Sequence, residues 1–162
     1  MTNRSTSMAA LEFQDVTHQL VQQFIVELDD MLDDLTAREL AAGQKNVLNK
    51  IVSFFDIEMK KHHLEEERRI FPMLLSRGDE TLTGKVSTLQ AEHEQLRSGW
   101  DRLKQAIEHM VARPGSDATE LLLSFEHYSQ CFAGHLVLEE SIQFSPETSQ
   151  LFGAWDASVD AL

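Results

Sequence analysis

The stretch KKHHLEEERRIFPML at residues 60–74 places two histidines four residues before two glutamates. Imidazole nitrogens and carboxylate oxygens are common ligands of iron, manganese and zinc in proteins. Because residues four apart on a helix face nearly the same way, either His62 with Glu66 or His63 with Glu67 could direct two donors into one interior. The chemistry that this pattern predicts is cation binding, provided that a helix turns one of the two pairs inward.

The apolar residues before this stretch indicate which pair that is. With Phe55 as the centre of the apolar face, His62 and Glu66 fall within about 20° of it on a helical wheel. His63 lies near 80° and Glu67 near 120° on the same wheel. We therefore predict that His62 and Glu66 lie inside the protein and that His63 and Glu67 lie at the rim.

Three further histidines occupy apolar rows that repeat every seven residues, as core positions of bundled helices do. The rows are Leu11, His18, Ile25 and Leu32, then Val86, His93, Trp100 and Ile107, then Leu121, Tyr128, His135 and Ile142. Six donors are thus predicted to converge on one interior, namely His18, His62, Glu66, His93, His135 and Glu139. Buried polar groups without partners are costly, and a bound cation would offset that cost.

Turn-forming residues divide the chain into four long segments, roughly 11–42, 44–76, 79–112 and 117–144. All four are rich in strong helix formers. The motif DATE at 117–120 predicts the start of the fourth helix, and Pro72 predicts a loosened end to the second. Long helices joined by short turns predict an all-α, up-down-up-down antiparallel four-helix bundle.

Length and composition predict one globular domain. We expect a lead-in at 1–10, the bundle at 11–145 and a tail at 146–162 whose Phe152 and Trp155 dock on it. The net charge of -13 argues against binding of nucleic acid or an anionic membrane surface, because both need clustered cations. Cys131 is the single cysteine, and we find no signal peptide or membrane span, so we expect a cytoplasmic protein.

With these residues placed, the chain resembles the hemerythrin-like (HHE cation-binding) family. The resemblance rests on the His18 helix, HHLEEERRIFP at 62–72, EHEQLR at 92–97 and HLVLEE at 135–140. It implies two iron ions bridged by an oxo or hydroxo group and by two carboxylates, Glu66 and Glu139. Manganese or zinc are alternative metals.

Two positions differ from the oxygen-carrying members of that family. Those proteins have a second histidine one turn after the first on the third helix, where this chain has Arg97. Their fourth-helix carboxylate lies five residues after its histidine, which would select Glu140, whereas the heptad row favours Glu139. Four histidines with two glutamates resemble more closely the iron–sulfur-repair and iron-sensing branches.

Three functions remain as hypotheses. The first is a di-iron sensor, scavenger or carrier that binds O2, NO or peroxide. The second is a di-iron enzyme with peroxidase, catalase-like, NO-reducing or iron–sulfur-repair activity, which would use the same residues. The third is a metal-free helical interaction module whose acidic surface recruits a basic partner.

Overall fold

The computed structural model describes the backbone of residues 5–143 and the side chains of residues 16–142. Within this part of the chain, α1 spans Ser5–Ala37, α2 spans 42–75, α3 spans Glu80–Ala112 and α4 spans Thr119–Gln143. The described residues contain no strand, so the predicted all-α class is confirmed. The predicted tail with Phe152 and Trp155 lies outside the described residues.

Helix α2 is interrupted by two π-helical turns. Its α-helical parts Ala42–Ser53, Met59–Glu65 and Phe71–Leu75 are separated by the π segments Phe54–Glu58 and Glu66–Ile70. The Met59 N–H donates to the Phe54 carbonyl and the Phe71 N–H to the Glu66 carbonyl, each five residues back. Since a π turn holds one residue more than an α turn, the residues after it lag by about one position, about 100°, on the helical wheel.

The second π segment ends just before Pro72, where a loosened helix was predicted. In a regular α-helix the proline ring would clash with the carbonyl four residues earlier, and its missing N–H would leave that carbonyl without a donor. The π turn before Pro72 is closed by a hydrogen bond that runs five residues back. It does not depend on the bond that the proline is unable to donate.

The connection between α1 and α2 occupies residues 38–41, so the break predicted at Gly43 is displaced. Leu40 is buried in the core, which requires the chain to leave the helix before it. The Gln44 side chain accepts the Ala41 N–H at 3.0 Å and donates to the Asp34 carboxylate. A polar cap and a buried leucine therefore set this turn, and Gly43 lies inside the first turn of α2.

The other two turns follow the sequence pattern more closely. Gly78 adopts a φ of 68°, which favours glycine, and Asp79 then caps α3 by accepting the Leu82 N–H at 2.8 Å. Before α4, the Asp117 carboxylate accepts both the N–H and the hydroxyl of Thr119, at 2.9 and 2.6 Å. Helix α4 begins two residues after the predicted position.

The core consists of two apolar clusters with buried polar residues between them along the helices. The larger cluster includes Phe55, Leu96, Leu103, Leu121 and Phe132, and the smaller one contains Ile70, Phe71, Leu74, Val86, Leu89 and Ile142. Burial of each large apolar side chain stabilises the fold by about 1.5–3 kcal/mol, so these clusters hold the polar residues in place. None of the helices in the described part of the chain combines the length and apolar character needed to cross a bilayer.

Candidate metal centre

The structure brings all six predicted donors together, and none is more than 6% exposed. Helix α1 supplies His18, α3 supplies His93, and α2 and α4 each supply a histidine with a glutamate four residues later. These residues are His18, His62, Glu66, His93, His135 and Glu139. The regular heptad rows of α1, α3 and α4 explain why the sequence locates them.

His63 contradicts the prediction that it lies at the rim, because its side chain is buried at 5% exposure. The prediction assumed a regular α-helix from Phe55 onward. The π segment Phe54–Glu58 departs from that geometry, so the wheel angles do not hold for the residues after it, and His63 lies on the inner face beside His62.

The buried donors form two groups, in each of which one donor atom of every member lies within 4.8 Å of the others. The His/Glu group consists of His18, His62, Glu66 and Glu139. The three-histidine group consists of His63, His93 and His135.

The two glutamates of the His/Glu group also contact the three-histidine group. Glu66 has Oε1 at 3.4 Å from His62 Nε2 and Oε2 at 3.2 Å from His93 Nε2. Glu139 Oε2 lies 3.2 Å from His18 Nε2 and 3.5 Å from His135 Nε2. Each carboxylate therefore reaches a histidine of both groups. Glu140, the alternative to Glu139, is exposed to solvent.

These separations suit donors that share an ion. Two ligand atoms that are each about 2.1 Å from one metal lie about 3.0 Å apart at a right angle and about 3.4 Å apart at a tetrahedral angle. The contact of 3.1 Å between His18 Nε2 and His62 Nε2 falls in the same range. Among the described residues, four buried ring nitrogens have no hydrogen-bond partner of acceptable geometry: His62 Nδ1, His63 Nε2, His93 Nε2 and His135 Nε2.

Two glutamates at the edge of the centre orient the histidines. His93 Nδ1 donates to Glu67 Oε1 at 2.8 Å, and His135 Nδ1 donates to Glu92 Oε2 at 3.0 Å. A proton on Nδ1 leaves the Nε2 lone pair directed inward. The sequence analysis missed both roles and predicted only that Glu67 lies at the rim. Each stands next to a predicted donor in sequence, which is the signal that could have found it.

The charge states favour cation binding. Burial lowers the pKa of His62 to about 3 and the pKa of His93 to about 4, so both imidazoles are neutral at pH 7. Burial and the negative charge of Glu139 raise the pKa of Glu66 well above its usual value. Burial alone would raise the pKa of Glu139, but the hydrogen bond with Glu66 and the interaction with His18 lower it. Without a cation, these opposite pKa shifts favour a proton on Glu66 and a charge on Glu139, and a metal would displace that proton.

A cavity of about 20 Å³ adjoins the three-histidine group. Its walls are Phe55, Met59, Lys60, His63, Leu96, Arg97, Trp100 and Tyr128. This space is enough for about one water-sized molecule. Burial raises the pKa of Tyr128 well above its usual value, so its phenol keeps its proton.

Taken together, an all-helical fold and an enclosed set of histidines and glutamates define a protein with a cation site between its helices. The family model for the hemerythrin HHE cation binding domain matches residues 9–145. The chain belongs to this family, as its resemblance predicted.

A curated protein from Haemophilus influenzae (strain ATCC 51907 / DSM 11121 / KW20 / Rd) is 27% identical over 125 residues. The match covers 77% of this chain and 71% of that protein, whose printed description is "Uncharacterized protein". No solved structure matches this chain.

Proposed function

We propose that this protein binds two iron ions in a carboxylate-bridged centre and uses them to bind O2, NO or peroxide, as a sensor, scavenger or carrier. The ligands in this proposal are His18, His62, Glu66, His93, His135 and Glu139. Manganese and zinc accept the same nitrogen and oxygen donors and are the competing metals.

The position of Glu66 is the observation that supports this proposal most. One of its carboxylate oxygens lies beside His62 and the other beside His93, at 3.4 and 3.2 Å. A carboxylate that contacts imidazoles on both sides is placed to bridge two ions. Glu139 also contacts a histidine of each group, but through a single oxygen, Oε2, that lies between His18 and His135.

The protein's own residues prepare the centre for this role. The apolar clusters exclude water, and neutral imidazoles present lone pairs without first releasing protons. Glu67 and Glu92 hold the rings of His93 and His135 in orientation. When bound, iron would supply open coordination positions and redox chemistry.

The size of the neighbouring cavity supports a small exogenous ligand. About 20 Å³ between Phe55, Leu96 and Trp100 is space for a ligand of about the size of a water molecule, which favours a very small ligand over an organic substrate. Tyr128 borders this space with a protonated phenol that can donate a hydrogen bond.

The test is metal analysis of aerobically purified protein together with its visible spectrum, recorded before and after reduction and exposure to O2 or NO. We expect about two iron ions per chain and absorption that changes with at least one gas. Protein without iron, or a spectrum that no gas alters, would contradict the proposal.

The same cavity favours one alternative, an enzyme that reduces peroxide or NO. Arg97 and Tyr128 line it as polar donors beside the three-histidine group, and such donors can stabilise charge on a reacting ligand. Multiple turnovers of peroxide or NO that His62→Ala and Glu66→Ala both abolish would establish the enzyme. Binding of one ligand per centre without turnover would return the assignment to a sensor, scavenger or carrier.

The up-down-up-down antiparallel arrangement is also proposed, on the basis of side-chain contacts between successive helices. In each helix pair, the contact partner moves backward along one helix as it moves forward along the other. The contacts are Asp34 with Gln44 and His18 with His62, then Asp56 with Trp100 and Glu67 with His93, then Glu92 with His135 and Lys85 with Ser141.

A further inference from the structure

His63 is a buried histidine that neither the heptad pattern nor the proposed six-ligand set uses. Its ring is 5% exposed and lies face to face with His93, with centroids 4.0 Å apart and planes inclined by 15°. One nitrogen of His63, one of His93 and one of His135 all lie within 4.8 Å of one another.

The hydrogen bonds of the neighbouring rings define what this cluster presents. His93 and His135 use Nδ1 to donate to the outer glutamates, so each Nε2 carries a lone pair. In His63 the buried Nε2 also makes no hydrogen bond within the described part of the chain. Each of the three imidazoles thus has a nitrogen without a suitable donor, and one nitrogen of each lies within 4.8 Å of the others, a set of atoms with the chemistry of a cation site.

A purely structural role for His63 is the competing explanation. Ring stacking on His93 would fill the same space, as a phenylalanine could. Stacking gives no reason for a polar nitrogen to be buried without a hydrogen bond, which is energetically unfavourable. The π turn that brings His63 inward is a local departure from the α-helix of the kind often found at functional sites.

Arg97 occupies the position on α3 one turn after His93, where it supplies no further imidazole. Its guanidinium contacts Glu67 and Glu94 at 3.2 and 3.0 Å. With its side chain 37% exposed and cationic, Arg97 is directed to the rim and cannot ligate a metal. Helix α3 therefore offers the centre a single imidazole, His93.

We propose that His63 is a seventh protein ligand, which completes a three-imidazole site with His93 and His135 on one of the two ions. Helix α2 thereby supplies the imidazole that α3 does not. The proposal rests on the proposed metal centre. It makes the two ions unequal, because one has three histidines and the other has His18 and His62.

The direct experiment counts coordinated histidines in the wild-type protein. Protein labelled with ¹⁵N in the histidine rings is loaded with Zn²⁺, which is diamagnetic, and long-range ¹H–¹⁵N spectra are compared with those of the metal-free form. We expect the ring nitrogens of five histidines to shift on coordination, His63 among them. The exposed His109 and His127 provide internal controls whose resonances should not shift.

The outcomes separate the two proposals. If His18, His62, His93 and His135 shift and His63 keeps the resonance of a free imidazole, the seventh ligand is rejected and the six-ligand centre stands. If no histidine shifts, the metal centre itself is rejected, and the seventh ligand with it.

A second measurement uses a variant that preserves the ring packing. In anaerobic Fe²⁺ titrations of metal-free protein, His63→Phe should weaken binding of one ion at least tenfold and leave the other unchanged. His109→Phe on the outer face of α3 is the matched control and should bind as the wild type does. Unchanged affinity for both ions in His63→Phe would contradict the proposal.

Discussion

The two donor groups of the centre are built differently, although they lie side by side. In the three-histidine group, outer glutamates hold the Nδ1 atoms of His93 and His135. In the His/Glu group, the glutamates are themselves candidate metal ligands. His62 Nδ1 makes no hydrogen bond with the described residues. One group thus consists of imidazoles, two of them oriented from outside, whereas the other includes the carboxylates that can balance the charge of a cation.

This difference assigns separate tasks to the two groups. Rings held by outer carboxylates are rigid and strongly basic ligands. Inner carboxylates contribute negative charge and can link two ions. Three substitutions and one pH experiment can therefore test the comparison, and they follow from the largest expected effect to the smallest.

The largest effect should follow from Glu66→Ala, because Glu66 contacts histidines of both groups. We expect binding to fall from about two metal ions per chain to less than one. A metal ion at a thousand times its Kd stabilises a protein by about 4 kcal/mol, so most of the metal-dependent rise in Tm should disappear. Metal analysis and thermal unfolding with and without Fe²⁺ measure both changes. Glu140→Ala, next to Glu139 and exposed, is the control, and two ions retained in Glu66→Ala would refute the bridging role.

A smaller effect is expected from His18→Ala, which removes a donor from the His/Glu group alone. The protein should lose one ion and keep the ion of the three-histidine group. Isothermal titration with Fe²⁺ would then show a single binding event in place of two. His127→Ala on the exposed surface of α4 should leave both events intact. Loss of both ions in His18→Ala would mean that the groups do not bind independently.

Substitution of an outer glutamate should have a weaker effect on metal affinity, and that effect should be confined to the three-histidine group. Glu67→Gln removes the charge that accepts from His93 Nδ1, and changes of this type lower metal affinity about 10–100-fold. The affinity of the second ion should be unaffected. Glu65→Gln is the matched control, since Glu65 pairs with Arg69 on the outer side of α2. Equal affinities in the two variants would show that Glu67 does not act through His93.

The pH dependence of metal binding distinguishes the histidines from Glu66, because they differ in whether they release a proton when a metal binds. The lowered pKa values of His62 and His93 mean that neither ring holds a proton to release at pH 7. The raised pKa of Glu66 means that its carboxyl keeps a proton to higher pH than an ordinary glutamate does, and a metal must displace that proton. Metal binding at pH 7 should release about one proton per chain, and affinity should rise with pH. Titration calorimetry in buffers of different ionisation enthalpy measures this number, and a value of zero would contradict the proton on Glu66.

The sequence predicts most of this architecture because three helices are regular. In α1, α3 and α4, each predicted histidine occupies a seven-residue row, and the structure buries it. Capping by Asp79 and Asp117 follows from elementary turn chemistry, and both helix starts were predicted within two residues. Local rules suffice wherever the helix keeps a constant number of residues per turn.

The errors occur where that constancy fails or where a distant partner decides. His63 is turned inward by a π segment that no wheel of constant angle represents. Glu67 and Glu92 acquire their roles from histidines on neighbouring helices, which requires knowledge of how the helices pack. The first turn depends on burial of Leu40 and on the contact between Gln44 and Asp34, and both are tertiary.

Because α2 contains π turns, the number of residues in this helix decides which side chains face inward. Each π turn is equivalent to one inserted amino acid. Deletion of a single exposed residue within the first, such as Ile57, would rewind α2 as an ordinary α-helix and rotate His63 outward. Every donor would still be encoded, yet the constellation would change. Along this stretch, deletion of one residue should therefore change the set of inward-facing donors more than most amino-acid replacements do. Homologues with gaps here should be expected to carry different donors.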